Sequence, residues 1–220
     1  MKPILCLAVF LVCTTAHAAD IVWTNVAGGN WSVAANWSPN QVPGTNDTAW
    51  ITNNGTYAVT LDANVTLNGL ALGGDSGTQT FSHANYTLTL NGPGSSSPQG
   101  IYAFASGILA GSGALTLNGP FNWSGGTLGS SGSGQVVTAN GGLMISGGGK
   151  NLYATFVNNG PGTCNAGPIW CYSTALLSNT PGGTLDLPSD ASPFPNRQRH
   201  SKVRQRGRAA QKRGLGINDR

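Results

Sequence analysis

Residues 86–92 read Tyr86-Thr-Leu-Thr-Leu-Asn-Gly92, and their ending returns in Thr66-Leu-Asn-Gly69 and Thr116-Leu-Asn-Gly119. Each copy closes an apolar alternation with Asn-Gly. Alternation with period two is the pattern of a half-buried strand. Asn-Gly supplies the positive φ that turns the chain sharply afterwards. The copies are offset by 23 and 27 residues. A strand and turn recurring about every two dozen residues points to a stacked coil, in which no single turn buries enough but a pile of turns shares one core.

The same alternation extends to either side of this stretch. Gly55-Thr-Tyr-Ala-Val-Thr-Leu61 and Val65-Thr-Leu67 read as strands. Ala114-Leu-Thr-Leu117 alternates likewise, and softer strands follow at 126–128, 135–138, 143–145, 153–157, 175–177 and 184–187, most of them separated by Gly or Asn. No long segment shows helical periodicity with caps. At about 22–25 residues per coil, residues 61–190 are expected to make roughly five or six rungs, a rod about 25–30 Å long. Asn-Gly also opens hairpins, so an antiparallel sandwich is the structural rival. The scarcity of charge and a spacing longer than sandwich strands show both favour stacking.

Charge divides the chain in two. Residues 20–196 hold six Asp, no Glu, one Lys (Lys150) and no Arg, for a net charge of −5. Residues 197–220 hold nine Lys or Arg and one Asp, for +8. The formal total of +4 therefore describes neither part. Residues 192–220, opened by Pro193 and Pro195, have no apolar periodicity and are expected to be a disordered basic tail. Three readings compete for this tail: out-of-frame translation of further repeats, a basic arm, and a solvated end. Nucleic-acid binding is not favoured, since no aromatic residues are interleaved with the charges.

Residues 1–18 read as an export leader, with Lys2, an apolar run from Ile4 to Cys13, and Ala16-His17-Ala18 as the small-residue cleavage pattern. Cleavage is expected after Ala18, and the apolar run is too short to span a bilayer. The mature chain is thus expected to be secreted or at the cell surface. Outside the leader stand Cys164 and Cys171. In an oxidising compartment they are candidates for a disulfide, worth about 2.5 kcal/mol for so short a loop. Two thiols with no nearby His do not make a zinc site.

Trp23, Trp31, Trp37 and Trp50 crowd the first coil positions, among Asn, Gly, Pro43 and Gly44. Trp23, Trp31 and Trp37 are candidates for stacking against sugar rings. The competing and favoured reading is a cap over the open end of the first coil, with Asp47 tying it down. Residues 19–60 are accordingly assigned to the cap and first strands, and 61–191 to the rungs.

The run from Trp23 through Gly29, Trp31, Asn36-Trp37, Pro43-Gly44, Asp47 and Ile51 resembles bacterial exported parallel β-helix surface proteins. So do Phe121-Asn-Trp-Ser-Gly-Gly-Thr127 and Leu177-Ser-Asn-Thr-Pro-Gly-Gly-Thr-Leu-Asp186. These are the autotransporter-passenger-like proteins with associated β-strand repeats. The resemblance covers most of residues 20–191. It implies an all-β, right-handed parallel β-helix, export, and a role in adhesion or at the surface. It implies no catalytic residue and no cofactor. Relatives of this kind run through many more rungs, so the chain reads as part of a longer protein.

Acid–base chemistry is thinly supplied. A glycosidase needs two carboxylates facing one bond, and the spacing of Asp47, Asp62, Asp75 and Asp186 brings no such pair together. His83 reads as a solvated turn residue. The expected function is a non-catalytic extracellular adhesion-type protein that contacts glycans or a neighbouring cell surface. The alternatives are a carbohydrate-binding module and a carbohydrate-active β-helix enzyme.

Overall fold

The computed structural model describes residues 18–186 and, for the backbone, 202–205. Most of the expected leader and of the basic tail therefore lies outside the described residues. The chain coils into a parallel β-solenoid of about seven turns. Each full turn contributes one short strand to each of three sheets. The first sheet holds Asp20–Trp23, Thr48–Ile51, Gly69–Leu72 and Gly94–Ser96, then Leu115–Leu117, Val136–Ala139, Thr155–Asn158 and Leu176–Asn179. The second begins at Gly29–Asn30 and Gly55–Leu61 and ends at Thr184–Asp186, and the third runs from Val65–Leu67 to Ile169–Cys171. All pairings are parallel except one. There Trp37–Ser38 lies antiparallel to Asp20–Trp23, covering the edge that would otherwise offer unpaired backbone groups. No antiparallel sandwich is present among the described residues.

Register follows the alternation. Ala49, Leu70, Gly94, Leu115, Val137, Phe156 and Leu177 form one inward row, with steps of 19–24 residues. The coils are thus slightly shorter than the repeat spacing suggests. Thr66-Leu67 and Thr89-Leu90 do pair one turn apart on the third sheet. Thr116-Leu117 instead lies on the first sheet, beside Ser95 and Ser96. The 27-residue offset therefore joins different walls of the coil and is not a turn. The expected positive φ is not found at Asn68-Gly69, Asn91-Gly92 or Asn118-Gly119. Glycine recurs there because a Cβ would run into the Thr48 side chain at Gly69, the Asn68 carbonyl at Gly92 and the Gly100 carbonyl at Gly119.

Two rows from the second sheet fill the core. Val59, Phe81, Tyr102, Phe121 and Leu143 form one, and Leu61, His83, Phe104, Trp123, Ile145 and Cys164 the other. Ring centroids step at 5.3 Å from Phe81 to Tyr102 and 5.6 Å from Tyr102 to Phe121. Val65, Leu88, Leu109, Leu128, Leu152 and Cys171 face them from the third sheet. Each fully buried large side chain contributes about 1.5–3 kcal/mol relative to exposure. The expected cap at 19–60 is continuous with the rungs, because Thr48–Ile51 pairs with Gly69–Leu72 and Gly55–Leu61 with Gly77–His83.

Close stacking leaves no room at some corners. Gly77 has φ +78°, and an added Cβ would run into the carbonyl of Gly55 in the turn below. Gly77→Ala is expected to lower stability by about 1–3 kcal/mol through backbone strain alone, read as a lower urea midpoint. An unchanged midpoint would show that the corner yields without cost.

Within the basic segment the backbone of Lys202–Gln205 lies parallel to Leu176–Asn179; the rest of residues 192–220 lies outside the described residues. The edge of Leu176–Asn179 offers backbone pairing that depends little on side-chain type.

Candidate functional site

The outer face of the first sheet is built by the residues that the same alternation turns away from the core. Val22, Trp50, Ala71, Ser95, Thr116, Thr138, Val157 and Ser178 stand in one outward row, one per turn. Neighbours in such a row are about 4.8 Å apart. Trp50 is 37% exposed, and its Nε1 donates to Asp20 Oδ1 at 2.9 Å. That bond fixes one edge of the indole and leaves part of the ring to solvent. At the next corner Asn140 Nδ2 donates to Asn118 Oδ1 at 2.8 Å, and Asn159 Nδ2 to Asn140 Oδ1 at 2.9 Å. The result is a flat face with an aromatic plate near one end, hydroxyls along its middle and an amide ladder at its margin.

The tryptophans singled out from sequence are elsewhere. Trp23 and Trp31 are fully buried and Trp37 is 1% exposed. Trp37 meets Trp23 edge-on at 5.0 Å and Trp31 at 4.6 Å. Trp23 Nε1 donates to the Asn25 carbonyl at 2.7 Å, and Trp37 Nε1 to the Trp31 carbonyl at 2.8 Å. None of the three presents a ring face for a sugar, so the stacking assignment is corrected and the rings plug the end of the coil. Asp47 does tie this region together: its Oδ1 accepts from Ala19 N at 3.1 Å and its Oδ2 from Gly44 N at 2.8 Å.

The expected disulfide is also corrected. Cys164 and Cys171 are free thiols. Cys164 ends an inward row of the second sheet and Cys171 an inward row of the third, so they enter the core from different walls. Burial pushes the Cys171 thiol up to about 11. It raises Cys164 too, opposed by the nearby Lys150 charge.

His83, expected as a solvated turn residue, is inside, and so is Lys150. His83 is fully buried, with Nδ1 2.8 Å from the Tyr102 hydroxyl and Nε2 2.9 Å from the Tyr86 carbonyl. A carbonyl only accepts, so Nε2 carries the proton and Nδ1 accepts from Tyr102. Burial pulls the imidazole down to about 4, against a weaker raising effect of the Tyr86 carbonyl. Lys150 is likewise buried, its Nζ donating to the carbonyls of Gly148 at 2.7 Å and Ala166 at 3.3 Å. Burial lowers its pKa, and Cys164 opposes the shift.

Asp62 is held by Ser32, whose hydroxyl donates at 2.6 Å. Asp20, Asp47 and Asp62 thus each serve a different local contact. Among the described residues no three His, Cys, Asp or Glu side chains gather as a metal site, and no helix is long and apolar enough to cross a membrane.

No family model, curated protein or solved structure matches this chain. The functional reading therefore rests on the chain's own surfaces. Besides the flat face there is a shallow groove of about 460 Å³ on the second sheet, lined by Pro120, Met144, Pro161 and Thr184 among others. Its exposed wall is largely apolar, although Asn122, Thr163 and Asp186 also line it.

Proposed function

We propose that this chain is an exported, non-catalytic β-helix protein that works outside the cell, by contact between the flat face of its first sheet and glycans of a surface or matrix. We also propose that it forms the N-terminal part of a longer surface protein, in line with its resemblance to the exported β-helix group. The observation that carries the reading is the outward row from Trp50 to Ser178 with its flanking Asn ladder. An exposed indole offers an apolar plate with a polar edge, and rows of hydroxyl and amide groups repeat the same donors and acceptors along the rod. Many weak, regularly spaced contacts give useful avidity to a repeating polymer without a deep pocket. The positions of the acidic and basic side chains support the non-catalytic part. Lys150 is turned into the core, and Asp20, Asp47 and Asp62 are spent on separate structural bonds.

The test is binding of the secreted chain to arrayed neutral polysaccharides. Trp50→Ala is expected to weaken binding about tenfold, the equivalent of about 1.4 kcal/mol, with an unchanged circular dichroism spectrum. Binding that ignores Trp50, or no binding to any polysaccharide, would remove the glycan reading. Release of sugar fragments would replace it with the enzyme reading.

A further inference from the structure

Asp47 is 6% exposed, and among the described residues its carboxylate is held by two backbone N–H groups, those of Ala19 and Gly44. A buried carboxylate is expensive unless it is paired and hydrogen-bonded. Yet residues 3–149 contain no Lys or Arg at all. Ala19 is partly buried against the core, and its carbonyl accepts from Thr48 N at 2.9 Å. Ala18, one residue earlier, is exposed. The change from partly buried to exposed thus falls between Ala19 and Ala18, the bond at which the leader pattern places cleavage.

We propose that processing at this bond completes the fold: the α-ammonium released on Ala19 is the counter-ion of Asp47. Hydrolysis by a leader-removing protease adds one water across the Ala18–Ala19 amide. It leaves a carboxylate on the departing Ala18 and an ammonium on Ala19. The atom that donated one neutral N–H to Asp47 Oδ1 then donates from a charged group at the same place. Charge-assisted bonds of this kind are shorter and roughly twice as strong as neutral ones. Asp47 also receives Gly44 N on Oδ2, and its backbone carbonyl accepts from Asn68 N and Gly69 N at 3.0 and 3.2 Å. The pair thus ties the new terminus to the Pro43-Gly44 corner and to the start of the next turn. The inference rests on the export reading and is independent of glycan binding.

The experiment uses the full chain expressed in a secreting bacterial host. Mass spectrometry of the exported protein is expected to show Ala19 as the first residue. Retention of residues 1–18 would overturn export and the ion pair together, and a different first residue would overturn the ion pair alone. The amine is then acetylated with an N-hydroxysuccinimide ester at pH 7. Ala19 is expected to react at least about tenfold more slowly than in Asp47→Asn, because a carboxylate beside an amine holds it in the unreactive charged form. Equal rates would overturn the pairing while leaving export intact. If Asp47→Asn fails to fold, wild type in urea serves as the reference. A native amine that reacts as fast as the unfolded one would likewise overturn the pairing.

Discussion

Trp37→Ala is expected to cost about 3–5 kcal/mol, the range for truncating a buried aromatic side chain to alanine. Trp37 is the hub of the terminal plug, edge-on to both Trp23 and Trp31. Such ring pairs add about 0.5–1.5 kcal/mol beyond their burial. The substitution also leaves the Trp31 carbonyl without the indole N–H that now donates to it, and an unpaired buried acceptor costs about 1–3 kcal/mol. The void opens beside Trp31, whose ring lies 5.7 Å from Phe81, so the first turns are loosened. In a stacked array each turn is stabilised mainly by its neighbours. Damage to the plug should therefore propagate from one end. Urea unfolding should show a lower midpoint, and amide exchange should accelerate first in Asp20–Trp23 and Thr48–Ile51 while Val136–Ala139 stays protected. Trp50→Ala, at an exposed ring, should shift the midpoint far less. Equal losses from the two substitutions would mean that the plug contributes no more than a surface ring.

The reasons that make Trp37 central are only partly legible in the sequence. The strands are legible because inward and outward residues alternate cleanly. Gly55–Leu61, Val65–Leu67, Gly126–Leu128 and Leu143–Ile145 coincide with the segments marked by that pattern. Strands such as Gly77–His83 and Gly94–Ser96 carry Gln79, His83 and Ser96 on the inward side, and an apolar pattern cannot find them. These polar residues serve the corners. Gln79 Oε1 accepts from Gly74 N at 2.7 Å and its Nε2 donates to the Gly55 carbonyl. Gln135 Nε2 donates to the carbonyls of Ala110 and Gly113. A coil with three corners per turn leaves backbone groups inside that need side-chain partners. The candidate site escapes the sequence for a related reason. Tryptophan content marks the first coil correctly, but exposure depends on strand parity. Trp23 and Trp50 stand on neighbouring strands of one sheet, yet the residue opposite Trp50 is Val22. That shift of one position sends one ring into the core and the other to the surface.

Acid should destabilise the protein through His83 by about 3 kcal/mol once the pH has fallen from 7 to below 4. In the folded chain burial holds this imidazole down to about 4, from an ordinary 6.5. As the pH drops through 6.5 the unfolded chain takes up the proton and the folded chain does not. The unfolded state then binds more protons, so stability falls across the window from about 6.5 to about 4. Above 6.5 the contribution is fully present. The local geometry explains why the proton is refused. Protonation makes Nδ1 a donor, so the buried Tyr102 hydroxyl must turn its own hydrogen away from its partner. The Phe104 ring at 4.6 Å offers the cation some compensation. Its 42° tilt is not the face-on approach that a cation prefers, and desolvation prevails. Urea midpoints at pH 7.5, 6, 5 and 4 should therefore decline in wild type more steeply than in His83→Gln, which has no proton to gain there. Carboxylates titrate in both proteins and cancel in the difference. Parallel declines would mean that His83 is solvated in solution, and the buried Tyr102–His83–Tyr86 arrangement would then be wrong.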